Sequence, residues 1–121
     1  MDKSSLSVVG YYRADFNVIT GQKLPCGPIY QSAGLAVHII KRHPNELGNL
    51  SSVSAIIAAP DYIGKNPKEP DSIELVKVLS ANVMVCVKLD TKEGYLYVAS
   101  VYEISQGKLQ NRLNSGRLKA T

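Results

Sequence analysis

The sequence predicts an α+β fold, and three observations support that prediction. Segments 82–89 and 95–104 are rich in β-branched and aromatic residues and flank the polar turn 90–94, a pattern typical of an antiparallel hairpin. Apolar residues recur at helical spacing within 33–43. A further strand-like segment lies at 6–12. We therefore expect N-terminal strands and helices packed on an antiparallel sheet.

The N-terminal third is predicted to alternate between strands and a helix. Segments 6–12 and 16–19 have strand composition, and 20–28 contains two Gly and two Pro, which indicates a loop. Ser32 is a suitable N-cap for a helix over 33–43, which Pro44 would end. The expected core stripe of that helix consists of Ala33, Ala36, Val37 and Ile40.

The middle of the chain is predicted to contain a short helix, a loop and a strand. Ser51 or Ser52 can cap a helix from Val53 to Ile57 that stops before Pro60. Segment 60–70 reads as an exposed loop, with Asp61 and Tyr62 in a structural turn. Asp71 with Glu74 fits a capping box, yet the β-branched residues of 72–79 favour a strand, which is our prediction.

The two faces of the hairpin differ in composition if Leu89 pairs with Tyr95. One face is then apolar and suited to packing on a helix: Val83, Val85, Val87, Tyr95, Tyr97, Ala99 and Val101. The opposite face is mixed: Met84, Cys86, Lys88, Leu96, Val98, Ser100 and Tyr102. We expect the mixed face to be the rigid platform on which polar chemistry is held.

Length and composition are those of one globular domain spanning 1–121. The chain has 121 residues, 45% hydrophobic and 20% charged, which excludes a disordered, collagen-like or disulfide-scaffold protein. Its longest apolar runs are far shorter than the ~20 residues that span a bilayer, so no membrane association is expected. The first residues contain no apolar signal-peptide core. A cytoplasmic location, in the producing cell or in a target cell, is the resulting prediction.

The positive charge is concentrated in the C-terminal segment. The formal net charge is +4, and residues 105–121 contain four cations and no acid. Those cations are Lys108, Arg112, Arg117 and Lys119. The segment either binds an anionic partner, with phosphate the first candidate, or is a solvated basic tail.

Both histidines fall in one window, where they are candidates for acid–base chemistry. By helical geometry His38 points away from the expected stripe, and His43 lies at the helix end. The neighbouring cations Lys41 and Arg42 disfavour the protonated imidazole, which would leave a base near neutral pH. The alternative is a surface helix end at which His and Lys favour the helix dipole.

Other chemistries lack their motifs. The sequence contains no GxSxG, GxxxxGK[ST], HExxH or GxGxxG pattern. Cys26 and Cys86 match no metal spacing, and no spacing supports Asp61 or Glu46 as the third ligand of a two-histidine metal site. Neither a metal nor a cofactor is therefore expected. The remaining His, Lys, Arg, Ser and Tyr are the groups that a metal-free RNA phosphodiester cleavage requires: a base, an acid and cations.

Several segments together resemble a known family. They are GLAVHIIKRHP at 34–44, PDYIG at 60–64, the strand pair 83–90 and 95–104, and NRLNSGRL at 111–118. Over roughly 29–118 the chain is similar to a phage-associated nuclease family of the superfamily that joins barnase, EndoU, the tRNA-cleaving colicins and RelE. Members occur as stand-alone phage proteins or as toxin modules. The resemblance implies a metal-independent ribonuclease fold, with N-terminal helices on a roughly four-stranded antiparallel sheet.

The resemblance also implies site residues and partners. His38 and His43 fall on its histidine motif and Ser100 on the hydroxyl position of a sheet strand, so these residues are expected to be catalytic. The expected RNA-binding cations fall on its basic pair and its basic C-terminal part: Lys41, Arg42, Arg112 and Arg117. Tyr102 is added as a second hydroxyl of the mixed face. RNA is the expected substrate, with tRNA a candidate, cut by 2′-OH attack to leave a 2′,3′-cyclic phosphate. An immunity or antitoxin protein is a candidate partner. The alternative is a non-catalytic nucleic-acid- or protein-binding module of phage origin, whose tyrosines could stack unpaired bases.

Overall fold

The structure is a computed structural model that describes residues 6–35, 37, 41 and 44–121. Within these residues the strands are β1 (Leu6–Tyr12), β2 (Gly27–Ser32), β3 (Tyr62–Gly64), β4 (Ser72–Val78), β5 (Asn82–Asp90), β6 (Tyr95–Ile104) and β7 (Leu118–Ala120). The α-helices with assigned bounds are α1 (Ala14–Thr20), α2 (Val53–Ala58) and α3 (Gln106–Asn114), and a 3-10 helix (Pro44–Ser52) precedes α2.

The strands form one mixed sheet. In the part of the chain that is described, seven strands follow the order β1-β2-β6-β5-β4-β3-β7. All neighbours are antiparallel except β2 and β6, which are parallel. The predicted α+β class is confirmed, but the expected sheet of roughly four antiparallel strands is too small. The additional strands include β3 and β7, which have only three residues each and are too short to show an alternating pattern.

Segment 16–19 was predicted as a strand and is instead part of α1. Phe16 is 1% exposed and packs edge-on against Tyr12, with ring centroids 5.3 Å apart. The Asn17 side chain accepts a hydrogen bond from the Tyr12 hydroxyl at 2.6 Å and donates one to the Leu24 carbonyl at 2.8 Å. Gly21 then ends the helix in a left-handed conformation. Tertiary contacts therefore override a weak local strand preference.

Two segments predicted as loops contribute strands. β2 begins at Gly27, within the predicted loop 20–28, and pairs with both β1 and β6. β3 lies within the predicted loop 60–70 and pairs with β4 and β7. Beside it, the Asp61 carboxylate accepts a hydrogen bond from the Val78 amide at 2.8 Å, a structural contact.

The helix predicted over 33–43 is described only in part. Gly34, Leu35, Val37 and Lys41 are helical. The expected core stripe is wrong where it can be checked, because Ala33 is exposed and Val37 is 54% exposed, whereas Leu35 is 4% exposed. The orientation inferred for His38 depended on that stripe and loses this support. His38, Arg42 and His43 themselves lie outside the described residues.

The main hydrophobic core lies on one face of the sheet, here called the core face. Phe16 of α1 and Ile56 and Ile57 of α2 pack there against buried strand residues. The strand residues include Ile73, Leu75, Val83, Val85, Val87, Leu96, Val98 and Val101. A smaller cluster on the opposite face, here called the second face, packs α3 over Val76 and Met84. No helix in the described residues is long and apolar enough to cross a membrane.

The hairpin is confirmed, but its register differs from the prediction by one residue. Leu89 pairs with Leu96 rather than Tyr95, and a β-bulge beside Cys86 and Val87 shifts the rest of β6. Leu96 and Val98 therefore join the core, and Tyr95 and Tyr97 turn to the second face, contrary to the predicted assignment. Other members of the predicted mixed face share the second face as expected: Met84, Cys86, Lys88, Ser100 and Tyr102.

Candidate active site

A polar cavity lies on the second face, beside the part that α3 covers. It has a volume of about 300 Å³. Its lining includes Ser72, Glu74, Cys86, Lys88, Ser100 and Tyr102. These side chains come from the three neighbouring strands β4, β5 and β6, so the sheet holds them in fixed rows.

Strand register determines which of these groups meet. Glu74 on β4 lies opposite Cys86 on β5, which in turn lies opposite Ser100 on β6. One register step away, Ser72 lies opposite Lys88. Side chains of directly paired residues lie on the same face and within contact distance. The cavity is therefore built from rows that cross the sheet rather than from a loop.

The centre of the cluster is a buried ion pair. Glu74 is 2% exposed, and its two carboxylate oxygens accept hydrogen bonds from Nε and Nη2 of Arg117 at 2.8 and 2.7 Å. The hydrogen bond with Glu74 raises the pKa of Arg117, against an opposing effect of burial. A two-pronged pair of this kind fixes the guanidinium plane, and it uses two of the five N–H donors of the arginine.

Arg112 lies on the same side of the cluster. Its Nη1 is 3.9 Å from Oε2 of Glu74 and donates to the Met84 sulfur at 3.2 Å. Its side chain is 14% exposed. Arg112 and Arg117 come from α3 and from the turn before β7, so the basic segment is folded onto the sheet and is not a solvated tail.

A glycine allows this turn to approach the sheet. A Cβ atom built on Gly64 would overlap the main-chain carbonyl of Arg117. Gly64 pairs with Glu74 on one side and with Leu118 on the other. The absence of a side chain at residue 64 therefore lets Arg117 sit directly above Glu74.

The thiol and the phenol in the cavity are held in their protonated forms. Burial raises the pKa of Cys86, although hydrogen bonds with Ser100 and Tyr102 oppose the shift. Burial also raises the pKa of Tyr102, with Cys86 as the next cause. Both groups can donate hydrogen bonds at neutral pH, and neither is a nucleophile there.

Lys88 provides a cation at the outer rim of the cavity. Its Nζ lies 2.7 Å from Oε2 of Glu69, and both side chains are more than one-third exposed. The hydrogen bond with Glu69 raises the pKa of Lys88, so the ammonium stays charged. Lys88 and the hydroxyl donors thus line the cavity, and Arg112 and Arg117 reach its edge through Glu74. Cations and hydroxyl donors are the groups that bind a phosphate.

A second cavity of about 560 Å³ lies at the edge of the sheet, next to the same turn. Lys65, Arg117 and Lys119 line it together with Thr20 and Ser115. Arg117 borders this groove and also contacts Glu74 of the first cavity. Cationic side chains therefore extend from the Glu74–Arg117 pair along this second cavity to Lys65 and Lys119.

The structure brings together four of the residues predicted for the site. Ser100, Tyr102, Arg112 and Arg117 meet around Glu74. Lys41 is helical and exposed, and it does not line this cavity. His38, Arg42 and His43 lie outside the described residues, so their roles stay predictions. Within the described part of the chain, no group of three or more His, Cys, Asp or Glu is placed to hold a metal ion.

Sequence reasoning missed Glu74. The sequence pattern assigns Glu74 only to a capping box, although a carboxylate among the apolar residues Ile73, Leu75 and Val76 indicates a buried charge. A single acid inside an apolar strand is expected to be buried and paired. Its partner Arg117 lies 43 residues away and could not be identified from local pattern.

One family model matches the chain, over residues 7–111, and it is described as phage-Barnase-EndoU-ColicinE5/D-RelE like nuclease3. The match includes Glu74, Lys88, Ser100 and Tyr102, while Arg112 and the turn that holds Arg117 follow it. None of the curated proteins and none of the solved structures matches this chain.

Proposed function

We propose, from the premise that this chain belongs to the phage-Barnase-EndoU-ColicinE5/D-RelE like nuclease family, that it is a metal-independent, toxin-type endoribonuclease. The family description implies a nucleic-acid substrate. RNA is the proposed substrate, with tRNA as the first candidate. The observation that carries the proposal is the cluster around Glu74, in which Lys88, Ser100 and Tyr102 line a cavity of about 300 Å³ and Arg112 and Arg117 lie beside Glu74.

The cations would act on the scissile phosphate. Arg117 is oriented by Glu74, and Arg112 lies beside it, so both can offset charge that develops on the phosphoryl oxygens. Lys88 at the rim would hold an adjacent phosphate. Glu74 is a positioning residue in this scheme, since both of its oxygens are bonded to Arg117.

The histidines would carry out the proton transfers, and the hydroxyl donors would bind the phosphoryl oxygens. A base removes the proton of the ribose 2′-OH as its oxygen attacks phosphorus, and an acid protonates the departing 5′-oxygen. The products are a 2′,3′-cyclic phosphate and a 5′-hydroxyl. His38 and His43 are the proposed base and acid, while Ser100 and Tyr102 would donate hydrogen bonds to the phosphoryl oxygens.

Cleavage of tRNA in the presence of excess EDTA tests the proposal. The expected result is RNA fragments that carry cyclic phosphate ends, and no cleavage of DNA of the same sequence, which has no 2′-OH. Lys77→Ala, which removes a cation outside the cavity lining, is the control variant and should cleave like the parent.

Three outcomes would overturn the proposal. Loss of cleavage in EDTA with rescue by Zn²⁺ or Mg²⁺ would reject the metal-independent mechanism. Cleavage of DNA would reject attack by the 2′-OH. Tight RNA binding without cleavage would instead identify a non-catalytic binding module.

A further inference from the structure

The second face continues beyond the cavity as a strip of tyrosines. Tyr97 on β6 lies opposite Lys88, and Tyr95 lies opposite Asp90. Tyr30 on β2 pairs with Tyr97 in the parallel register, which places it on the next strand of the same face. The strip therefore starts at the cationic rim of the cavity and runs toward β1.

Edge-to-face contacts hold the rings of the strip in place. The ring centroids of Tyr30 and Tyr95 are 5.8 Å apart at 89°, and those of Tyr95 and Tyr97 are 6.1 Å apart at 61°. Tyr95 is buried, whereas Tyr30 and Tyr97 are half-buried. The buried ring thus supports two rings that remain partly accessible.

Tyr11 extends the strip on the edge strand β1. It lies opposite Pro28, two residues from Tyr30, and its side chain is 63% exposed. In the described part of the chain, α1 and α2 pack on the core face and α3 covers the other end of the second face. Among these elements, none packs over the strip.

We propose that the accessible rings of this tyrosine strip (Tyr11, Tyr30 and Tyr97, with buried Tyr95 supporting the last two) stack the unpaired bases of a single-stranded RNA whose phosphate is held at the second-face cavity beside Glu74 and Lys88. The inference rests on the proposed function and adds the class of RNA that the site accepts. Base stacking on aromatic rings beside a cationic groove is the usual way in which proteins bind single strands.

The spacing of the sheet matches such a path. Neighbouring strands lie about 4.8 Å apart, so Tyr97 is one strand from Lys88 and about 10 Å from Ser72 on β4. Neighbouring nucleotides of one strand can therefore place a base on Tyr97 and a phosphate at the cavity. Duplex RNA keeps its base faces stacked within the helix and cannot make this contact. Unpaired loops and ends are the expected targets, with little dependence on base identity because every base has a stacking face.

Binding of a single-stranded oligouridylate of about eight nucleotides, 2′-O-methylated to prevent cleavage, tests the strip. Tyr30→Ala and Tyr97→Ala should each weaken binding roughly 5- to 100-fold. Tyr30→Phe and Tyr97→Phe keep the ring and should bind like the parent. Tyr11→Ala should weaken binding less than the other two alanine variants. Tyr11 is exposed, so its truncation leaves the core intact. Val18→Ala, which truncates an 82% exposed side chain on α1, is the control and should bind normally.

Two further readouts identify stacking as the cause. An oligonucleotide of the same length without bases should bind parent and alanine variants equally weakly, because it presents phosphates alone. The chain has seven tyrosines and no tryptophan, so its intrinsic emission reports tyrosines directly. Binding of the base-containing probe should quench that emission in the parent more than in Tyr97→Ala.

The outcomes separate this inference from the proposed function. If the parent cleaves RNA and the alanine variants bind and cleave like it, the strip is not a base-binding surface although the nuclease proposal stands. If the parent binds the probe through the tyrosines and cleaves nothing, the strip is supported and the nuclease proposal fails. Equal binding of duplex and single-stranded probes, or no binding of the single strand by the parent, would overturn the inference.

Discussion

The guanidinium of Arg117 donates two hydrogen bonds to the carboxylate of Glu74, from Nε to Oε1 at 2.8 Å and from Nη2 to Oε2 at 2.7 Å. Glu74 lies on β4 and is 2% exposed, and the pair joins the C-terminal turn to that strand. Removing either partner would leave the other charge buried without a partner, which lowers the free energy of unfolding strongly. Replacing both partners with apolar residues changes that free energy much less. The pair therefore links the stability of the fold to the geometry of the candidate site.

Replacing Arg117 with alanine should lower the free energy of unfolding by about 3 kcal/mol. This is the low end of the range for breaking a buried pair, because the Arg117 side chain keeps 24% exposure. Urea unfolding of parent and variant measures the change. Lys108→Ala, which removes an exposed cation of α3, should change the stability by less than about 0.5 kcal/mol.

The double variant Glu74→Leu with Arg117→Leu distinguishes an unpaired charge from lost packing. Without either charge the penalty of desolvation disappears, so the double variant should be more stable than Arg117→Ala. A double variant as unstable as the single one would show that the side-chain packing of Arg117, rather than its charge, holds the turn.

Alanine at residue 64 should prevent the turn from closing on the sheet. The new Cβ would overlap the Arg117 carbonyl, and main chain cannot yield as a flexible side chain does. We expect a loss of about 2–4 kcal/mol in unfolding free energy. Gly107→Ala is the matched control, because a Cβ there meets nothing within 4 Å and lies in α3. The control should be neutral or stabilising by up to about 1 kcal/mol.

The two cysteines should differ in reactivity and in pH dependence. Cys26 is exposed, whereas burial raises the pKa of Cys86. The thiolate is the reactive form, so a raised pKa keeps Cys86 protonated and slow at pH 7, and its rate should rise only as the pH approaches that higher pKa. Alkylation followed by mass spectrometry should label Cys26 first. In Cys26→Ser the remaining thiol should react slowly at pH 7, and fast labelling there would contradict the burial of Cys86.

The features that the sequence predicted correctly depend on residues close together in the chain, and those it missed depend on residues far apart. The hairpin and β4 were predictable because β-branched residues and a polar turn are local signals. The bulge that turns Tyr95 and Tyr97 to the second face has no local signature, and a one-residue shift exchanges the faces. For the site, Ser100 and Tyr102 were identifiable as hydroxyls of one strand, whereas the Glu74–Arg117 pair depends on a contact between distant segments.

Replacing His38 with alanine should abolish RNA cleavage while the melting temperature stays nearly unchanged. The expectation comes from the sequence alone, in which His38 falls on the histidine motif of the family and lies beside the cations Lys41 and Arg42, which disfavour a protonated imidazole. Cleavage of tRNA and thermal unfolding are measured on the same preparation, with Lys77→Ala as control. Cleavage within a few-fold of the parent would remove His38 from the mechanism, and a large fall in melting temperature would make it a structural residue.

Replacing Arg112 with alanine should reduce the salt dependence of RNA binding. Arg112 is preferred over Arg117 for this measurement because it does not form the two-pronged pair, so its truncation disturbs Glu74 less. Each phosphate contact to a single strand contributes about 0.7 to the magnitude of the slope of log K against log salt. The loss of Arg112 should therefore reduce that magnitude by about 0.7. Lys77→Ala removes the same charge from a side chain that bonds the Ala59 carbonyl rather than lying beside Glu74, and it should keep the parental slope.

The kinetic constants of Arg112→Ala distinguish two roles of the guanidinium. If Arg112 binds phosphate equally in the ground and transition states, KM rises and kcat is unchanged. If kcat falls instead, the guanidinium meets charge that develops only during cleavage. An unchanged slope together with unchanged rates would limit Arg112 to its contacts with Met84 and Glu74, and Lys88 and Arg117 would remain as the cations of the site.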